Sequence, residues 1–203
     1  MQLTAVFETW HIGDGNYPPL HKDMLVRLSF EIEPDYMADC KDGLAESLEH
    51  VADATYNFAA RVIREYGAEE DPDRLIVLET GRFRFYVCGD VTRHYKRGQM
   101  ISGRGTLVLD HYLSVQFLGK YQNPPNIFYS LRVNTIRKIR IPEQLIVRGD
   151  HWTAYPTRVT STESGEPLIE MHETEDEAFT AYLVEFSDEG IDLNAPIPGT
   201  FAS

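Results

Sequence analysis

Hydrophobic and polar residues alternate with a period of two along most of the chain, which is typical of β-strands with one buried face. Strands are predicted at residues 2–10, 24–32, 54–63, 83–91, 127–141 and 178–186. Turns rich in glycine, proline and aspartate separate them, because glycine admits positive φ and proline lacks an N–H donor. The pattern predicts an all-β protein built as an antiparallel sandwich or barrel.

One segment has the spacing of a helix instead. Leu44, Leu48 and Val51 recur at positions i, i+4 and i+7, and Asp42 precedes them as a helix-capping residue. We therefore predict one short helix at residues 43–53. Parallel strands need long crossover connections, usually helices, so a single short helix argues against a parallel α/β architecture.

Two stretches of the chain resemble each other. Tyr56 precedes Ile63–Arg64 by seven residues, and Tyr129 precedes Ile136–Arg137 by the same interval. Two shorter matches accompany them, 25–26 with 107–108 and 75–77 with 145–147. The similarity indicates a duplicated β unit, with chance similarity between β-rich segments as the other interpretation. The 203 residues fit one domain, 1–203, with a split into two lobes near residues 92–105 as the alternative.

Composition narrows the class of protein. Hydrophobic residues make up 42% of the chain and charged residues 25%, which is close to the average of globular proteins. No run approaches the roughly 18 apolar residues of a membrane-spanning helix, and the first residues lack the layout of a signal peptide. Two cysteines are too few for a disulfide scaffold. We therefore expect a cytoplasmic protein.

Charge is distributed unevenly along the chain. The net charge is −13, yet residues 82–158 carry 13 basic and four acidic residues, a local charge of +9. The rest of the chain carries −22. Either the basic and acidic strands pair with each other, or the molecule presents a basic face to an anionic ligand and an acidic face to a basic partner.

The sequence contains no recognisable catalytic or cofactor-binding motif. No Gly-x-Ser-x-Gly motif is present, and the glycine-rich stretch 97–105, predicted to be a loop, precedes a strand rather than a helix. The histidines lack zinc-binding spacing. We expect no cofactor and no catalytic residue. A metal-dependent hydrolase using His11, Asp14 or His172 is a third hypothesis, behind the two binding functions below.

The leading hypothesis is an acidic, non-enzymatic protein that docks or neutralises a basic protein partner, as an immunity protein does for a toxin. Its small size, acidity and lack of catalytic motifs support it. One predicted contact set is Glu170, Glu173, Glu175, Asp176 and Glu177, and the other is Glu69, Glu70, Asp71 and Asp73.

The alternative hypothesis is a β-barrel that binds a small anionic ligand or nucleic acid through the basic segment 82–158. Arg137 falls on the apolar face of its predicted strand, where it needs either a ligand or a carboxylate such as one from residues 31–35. The acidity of the whole chain argues against nucleic acid. The predicted anion-binding residues are Arg97, Arg104, Arg132, Arg137 and Arg140.

Overall fold

The computed structural model of the protein describes residues 2–13, 17–40, 44–67, 74–88, 94–109, 125–140, 143–148, 151–156, 167–171 and 180–188. The elements in these ranges are β1 (Gln2–Glu8), α1 (Trp10–Gly13), β2 (Leu25–Leu28), β3 (Phe30–Asp39), β4 (Ser47–Ala52), β5 (Thr55–Tyr66), β6 (Leu75–Thr80), β7 (Phe83–Cys88), β8 (Met100–Leu109), β9 (Tyr129–Arg140), β10 (Glu143–Arg148), β11 (His151–Pro156), β12 (Pro167–Leu168) and β13 (Thr180–Asp188). The prediction of an all-β protein with a barrel is confirmed.

Five strands close into a barrel. β3 pairs with β8, β8 with β5, β5 with β6 and β6 with β7, all antiparallel. The barrel closes where β7 meets β3 in parallel, with Tyr86 opposite Glu31. Alternate residues of these strands, among them Phe30, Phe58 and Phe85, belong to the main hydrophobic core. The period-two pattern of the sequence therefore marks the side of each strand that faces this core.

Two strands of the barrel, β3 and β8, also belong to a second circuit of strand pairings. β8 meets β1 in parallel at Val108 and Val6, β1 pairs with β13, and β13 pairs with β9. β9 then pairs with β2, which leads into β3 through the single buried residue Ser29. The circuit thus returns to the β3–β8 pair.

The register shows that the two circuits have equivalent pairings. Glu31 of β3 and Val108 of β8 lie opposite each other, and each is also the contact point of a parallel strand. Leu28, three residues before Glu31, lies opposite Tyr129, and Gly105, three residues before Val108, lies opposite Tyr56. β3, β5, β6 and β7 of the first circuit therefore correspond to β8, β9, β13 and β1 of the second.

The two tyrosines of the repeated stretch connect the circuits reciprocally. The Tyr56 hydroxyl accepts a hydrogen bond of 2.7 Å from the backbone N–H of Thr4 in β1. The Tyr129 hydroxyl accepts one from the backbone N–H of Arg84, which occupies the equivalent position in β7. The similarity around Tyr56 and Tyr129 thus corresponds to a structural repeat. The two shorter matches do not, because Leu107 is equivalent to Phe30 and β10 belongs to a separate two-stranded sheet.

The predicted helix at residues 43–53 is wrong. Residues 47–52 form β4, which pairs with β5 through a turn where Asp53 has a φ of 47°. Leu48 packs against the core, whereas Leu44 and Val51 are 52% and 42% exposed. The helical spacing therefore does not mark a buried face, and pairing with β5 decides the conformation. Residues 42 and 43 lie outside the described ranges.

The predicted loop around Gly103–Gly105 is also wrong, because both glycines lie within β8. A Cβ atom on Gly103 would collide with the ring of Phe58 and one on Gly105 with the backbone of Glu33. Glycine is required here because neighbouring strands approach β8 closely at the wall of the barrel, not because the chain turns.

Candidate functional site: a pocket lined by two arginines

The five arginines predicted to bind an anion do not form one cluster. Arg104 lies in the middle of β8, where it forms a 3.7 Å ion pair with a carboxylate of β3. Arg132 donates a 3.3 Å hydrogen bond to a backbone carbonyl, and Arg140 is the last residue of β9, with its side chain outside the described part of the structure. Of the four arginines with described side chains, only Arg97 lines the pocket described below.

Arg137 is neutralised inside the fold. Its Nη2 atom lies 3.1 Å from Oε1 of Glu185 on the neighbouring strand β13, and both side chains are largely shielded from solvent. The expectation of an internal carboxylate partner is confirmed, but the carboxylate does not come from residues 31–35. The two residues are diagonal neighbours across the strand pair, since Arg137 lies opposite Leu183 and Glu185 lies opposite Thr135.

A pocket of about 470 Å³ lies beside the second half of β5. It is lined by Ile63, Arg64 and Glu65 of β5, by Arg97 from the turn before β8, and by Pro125 from the segment before β9. The strand β5 continues past a register shift between Val62 and Arg64, so three consecutive residues contribute to the wall. The pocket therefore combines apolar walls with two exposed guanidinium groups.

Backbone hydrogen bonds hold Arg97 beside β5. Gly98, with a φ of 85°, donates to the carbonyl of Val62 at 2.8 Å, and Val62 donates back to the carbonyl of Gln99 at 2.9 Å. Because Gly98 and Gln99 are both hydrogen-bonded to Val62, the backbone that carries the Arg97 side chain is fixed beside the pocket. The sequence motif Arg97–Gly98 thus belongs to a tight turn next to a strand.

The negative charge of Glu65 is already compensated. Its carboxylate lies 3.2 Å from Nε of the buried Arg74 and 2.9 Å from Nδ1 of His94, and it accepts a 2.9 Å hydrogen bond from the N–H of Tyr95. The side chain of Glu65 is only 13% exposed. The carboxylate therefore ties the wall of the pocket together, and Arg64 and Arg97 are the positively charged residues of its lining.

Arg64 occupies the position in β5 that Arg137 occupies in β9. Arg64 lies opposite Val77 of β6, and Arg137 lies opposite the equivalent residue of β13. In the second circuit Glu185 binds Arg137, whereas in the first the equivalent Glu79 lies 2.6 Å from Nε of Arg84. The guanidinium group of Arg64 instead lies over the ring of Tyr66, 4.9 Å from its centroid, at the wall of the pocket.

The residues proposed for metal chemistry do not come together. His11 is fully buried, stacked on Trp10 with 3.9 Å between ring centroids and in edge contact with Phe7. Asp14 and His172 lie outside the described residues. Within the part of the chain that the structure describes, no three His, Cys, Asp or Glu side chains are arranged to hold a metal ion. The same part contains no helix long and apolar enough to cross a membrane.

The predicted acidic contact sets fall mainly outside the described ranges. Glu170 is exposed, and its backbone forms an isolated bridge with His21. The residues of these sets that lie outside the described ranges are Glu69, Glu70, Asp71, Asp73, Glu173, Glu175, Asp176 and Glu177.

Sequence reasoning missed Arg64 and Glu65 as site residues. The repeat in the sequence paired Arg64 with Arg137 and so could have directed attention to both. It does not reveal which arginine each of the equivalent residues Glu79 and Glu185 binds, because that depends on contacts between different strands.

Comparisons with protein-family models, with curated proteins and with solved structures found no significant match to the chain.

Proposed function

We propose that the protein is a non-enzymatic binder of a small anionic ligand bearing a phosphate or carboxylate group, and that the ligand occupies the pocket between Arg64 and Arg97. The observation that carries this proposal is the convergence of two arginines from separate elements on one concave pocket. The only carboxylate that lines it among the described residues is already bound by Arg74 and His94.

The chemistry of the pocket supports an anion of modest size. Guanidinium groups present several N–H donors in a planar fork that matches carboxylate and phosphate oxygens. A volume of about 470 Å³ lies within the usual range of small-molecule sites. Ile63 and Pro125 add an apolar surface, so the preferred ligand carries an organic group beside its charge.

The acidity of the rest of the chain favours a small ligand over a polyanion. With a net charge of −13, the molecule repels an extended phosphate backbone, whereas a single anionic group needs only the local field of two arginines. Nucleic acid is therefore not part of the proposal, and the cytoplasmic location stays a prediction.

Calorimetric titration with pyrophosphate tests the proposal. Arg97→Gln should weaken binding at least about tenfold, since a hydrogen bond to a charged group contributes about 1.5–3 kcal/mol. The matched control is Arg82→Gln, which removes an exposed arginine beside the β6–β7 turn, at the far end of β6 from the Leu75–Tyr66 pair.

Equal affinity in the wild type, Arg97→Gln and Arg82→Gln would overturn the proposal, as would a failure of the wild type to bind pyrophosphate or citrate. Arg64→Gln provides a second test at the same site. Because both arginines are exposed, neither substitution is expected to unfold the protein.

A further inference from the structure

β4 presents a strand edge without a neighbour. In the described residues it is the last strand of the sheet and pairs only with β5. Apart from Leu48, every residue of β4 is exposed. Such an edge offers a row of backbone N–H and C=O groups that can hydrogen-bond to another extended chain.

Apolar side chains stand beside this edge. Leu44 and Val51 are 52% and 42% exposed, so the described residues leave a large part of both side chains uncovered. Both side chains therefore offer apolar surface to an incoming strand.

The charge of the edge selects the kind of occupant. Residues 44–53 contain Glu46, Glu49 and Asp53 but neither lysine nor arginine. The N–H of Gly81 and the guanidinium group of Arg61 lower the pKa of Glu46 and occupy its carboxylate. Glu49 and Asp53 form no ion pair within the described residues, so they are available to a cationic partner.

A second copy of the chain does not fit this edge. A second β4 strand would bring no lysine or arginine to this edge, only further carboxylates from Glu46, Glu49 and Asp53, and so adds like charge to like charge. Charged residues on an edge strand protect it from this kind of self-association.

We propose that the free edge of β4 binds an extended, lysine- or arginine-bearing segment of a partner protein, which adds to the sheet as a further strand. Its backbone hydrogen-bonds to β4, its basic side chains lie near Glu49 and Asp53, and its apolar side chains contact Leu44 and Val51. This surface contains neither Arg64 nor Arg97 of the pocket, so its test is independent of the proposed function.

The test uses two fluorescent peptides with the same charge. One, of about nine residues, alternates lysine and valine, and the other carries N-methyl groups on adjacent lysine and valine residues at its centre, which removes backbone donors from both edges of the extended peptide without changing the charge. Anisotropy titration should show the N-methylated peptide binding at least about fivefold more weakly, since strand addition depends on main-chain hydrogen bonds.

Substitutions locate the surface. Glu49→Lys should weaken binding of the unmodified peptide at least about fivefold, because it places a like charge beside the incoming lysines. Glu170→Lys, which reverses an exposed charge elsewhere, and Arg97→Gln should leave the affinity nearly unchanged. Glu49→Gln checks the result if the charge reversal impairs folding. Equal binding of the two peptides, equal effects of the two lysine substitutions, or no binding would overturn the proposal.

Discussion

Two buried tyrosines illustrate how single residues hold this fold together. The hydroxyls of Tyr56 and Tyr129 each accept a hydrogen bond from a strand of the other circuit. Burial raises the pKa of both hydroxyls above the ordinary value of 10.0. The neutral hydroxyl is therefore the form that the folded state requires.

This requirement predicts a loss of stability in alkali. Because the pKa of Tyr129 is higher in the folded than in the unfolded protein, its contribution is complete below pH 10 and is lost as the pH rises above that value. Urea unfolding between pH 8 and roughly 11 should show this decline, since ionisation favours the unfolded state there.

Tyr129→Phe supplies the comparison. It should lower the free energy of unfolding at pH 8 by about 1–2 kcal/mol, through loss of the acceptor for the Arg84 N–H, and should flatten the alkaline decline. An identical alkaline decline in the wild type and Tyr129→Phe would show that this hydroxyl does not contribute.

At the scale of elements, the β4–β5 hairpin is where local spacing and tertiary structure disagree. In a helix, Leu44, Leu48 and Val51 would share a buried face, whereas in the structure only Leu48 packs against the core. Single alanine substitutions therefore separate the two conformations.

Leu48→Ala should lower the free energy of unfolding by about 1–2 kcal/mol, since it removes partly buried apolar surface. Leu44→Ala and Val51→Ala should change it by less than about 0.5 kcal/mol, as is usual for exposed positions. Chemical denaturation measures all three. Comparable losses at the three positions would indicate the helix instead.

The sequence predicts most strands because alternation reports burial on one face, which pairing in the barrel then satisfies. It misplaces β4 because three apolar residues happened to fall at helical intervals. It also misassigns Gly103 and Gly105, since only the approach of Phe58 and Glu33 explains why a strand needs glycine there.

The candidate site was only partly predictable. Arg97 stands out in the sequence as a basic residue beside glycine, whereas nothing in the sequence indicates that Glu79 pairs with Arg84 on the neighbouring strand or that Arg64 lines the pocket. Contacts of that kind depend on register, which a single sequence does not specify.

At the scale of the whole molecule, the two circuits share strands and cover each other. Ile127 and Phe128, which lead into β9 of the second circuit, belong to a small apolar cluster with residues of β5, β6 and β7 of the first circuit. Ala54, which leads into β5 of the first circuit, belongs to a similar cluster with residues of β1, β8, β9 and β13 of the second circuit. Each circuit thus buries apolar surface of the other.

This sharing predicts one cooperative unfolding transition. Urea unfolding followed by tryptophan fluorescence and by far-ultraviolet circular dichroism should give coincident curves, because neither circuit is complete without β3 and β8. Two separate transitions would instead support independent lobes divided near residues 92–105.

The function proposed for the molecule depends on two arginines acting together at one pocket. The most direct measurement is a two-dimensional NMR titration of the arginine Nε–H resonances with pyrophosphate. The resonances of Arg64 and Arg97 should shift together, with one shared dissociation constant, while that of Arg82 stays in place. Small shifts spread evenly over all exposed arginines, or no saturable shift at Arg64 and Arg97, would contradict a specific anion site.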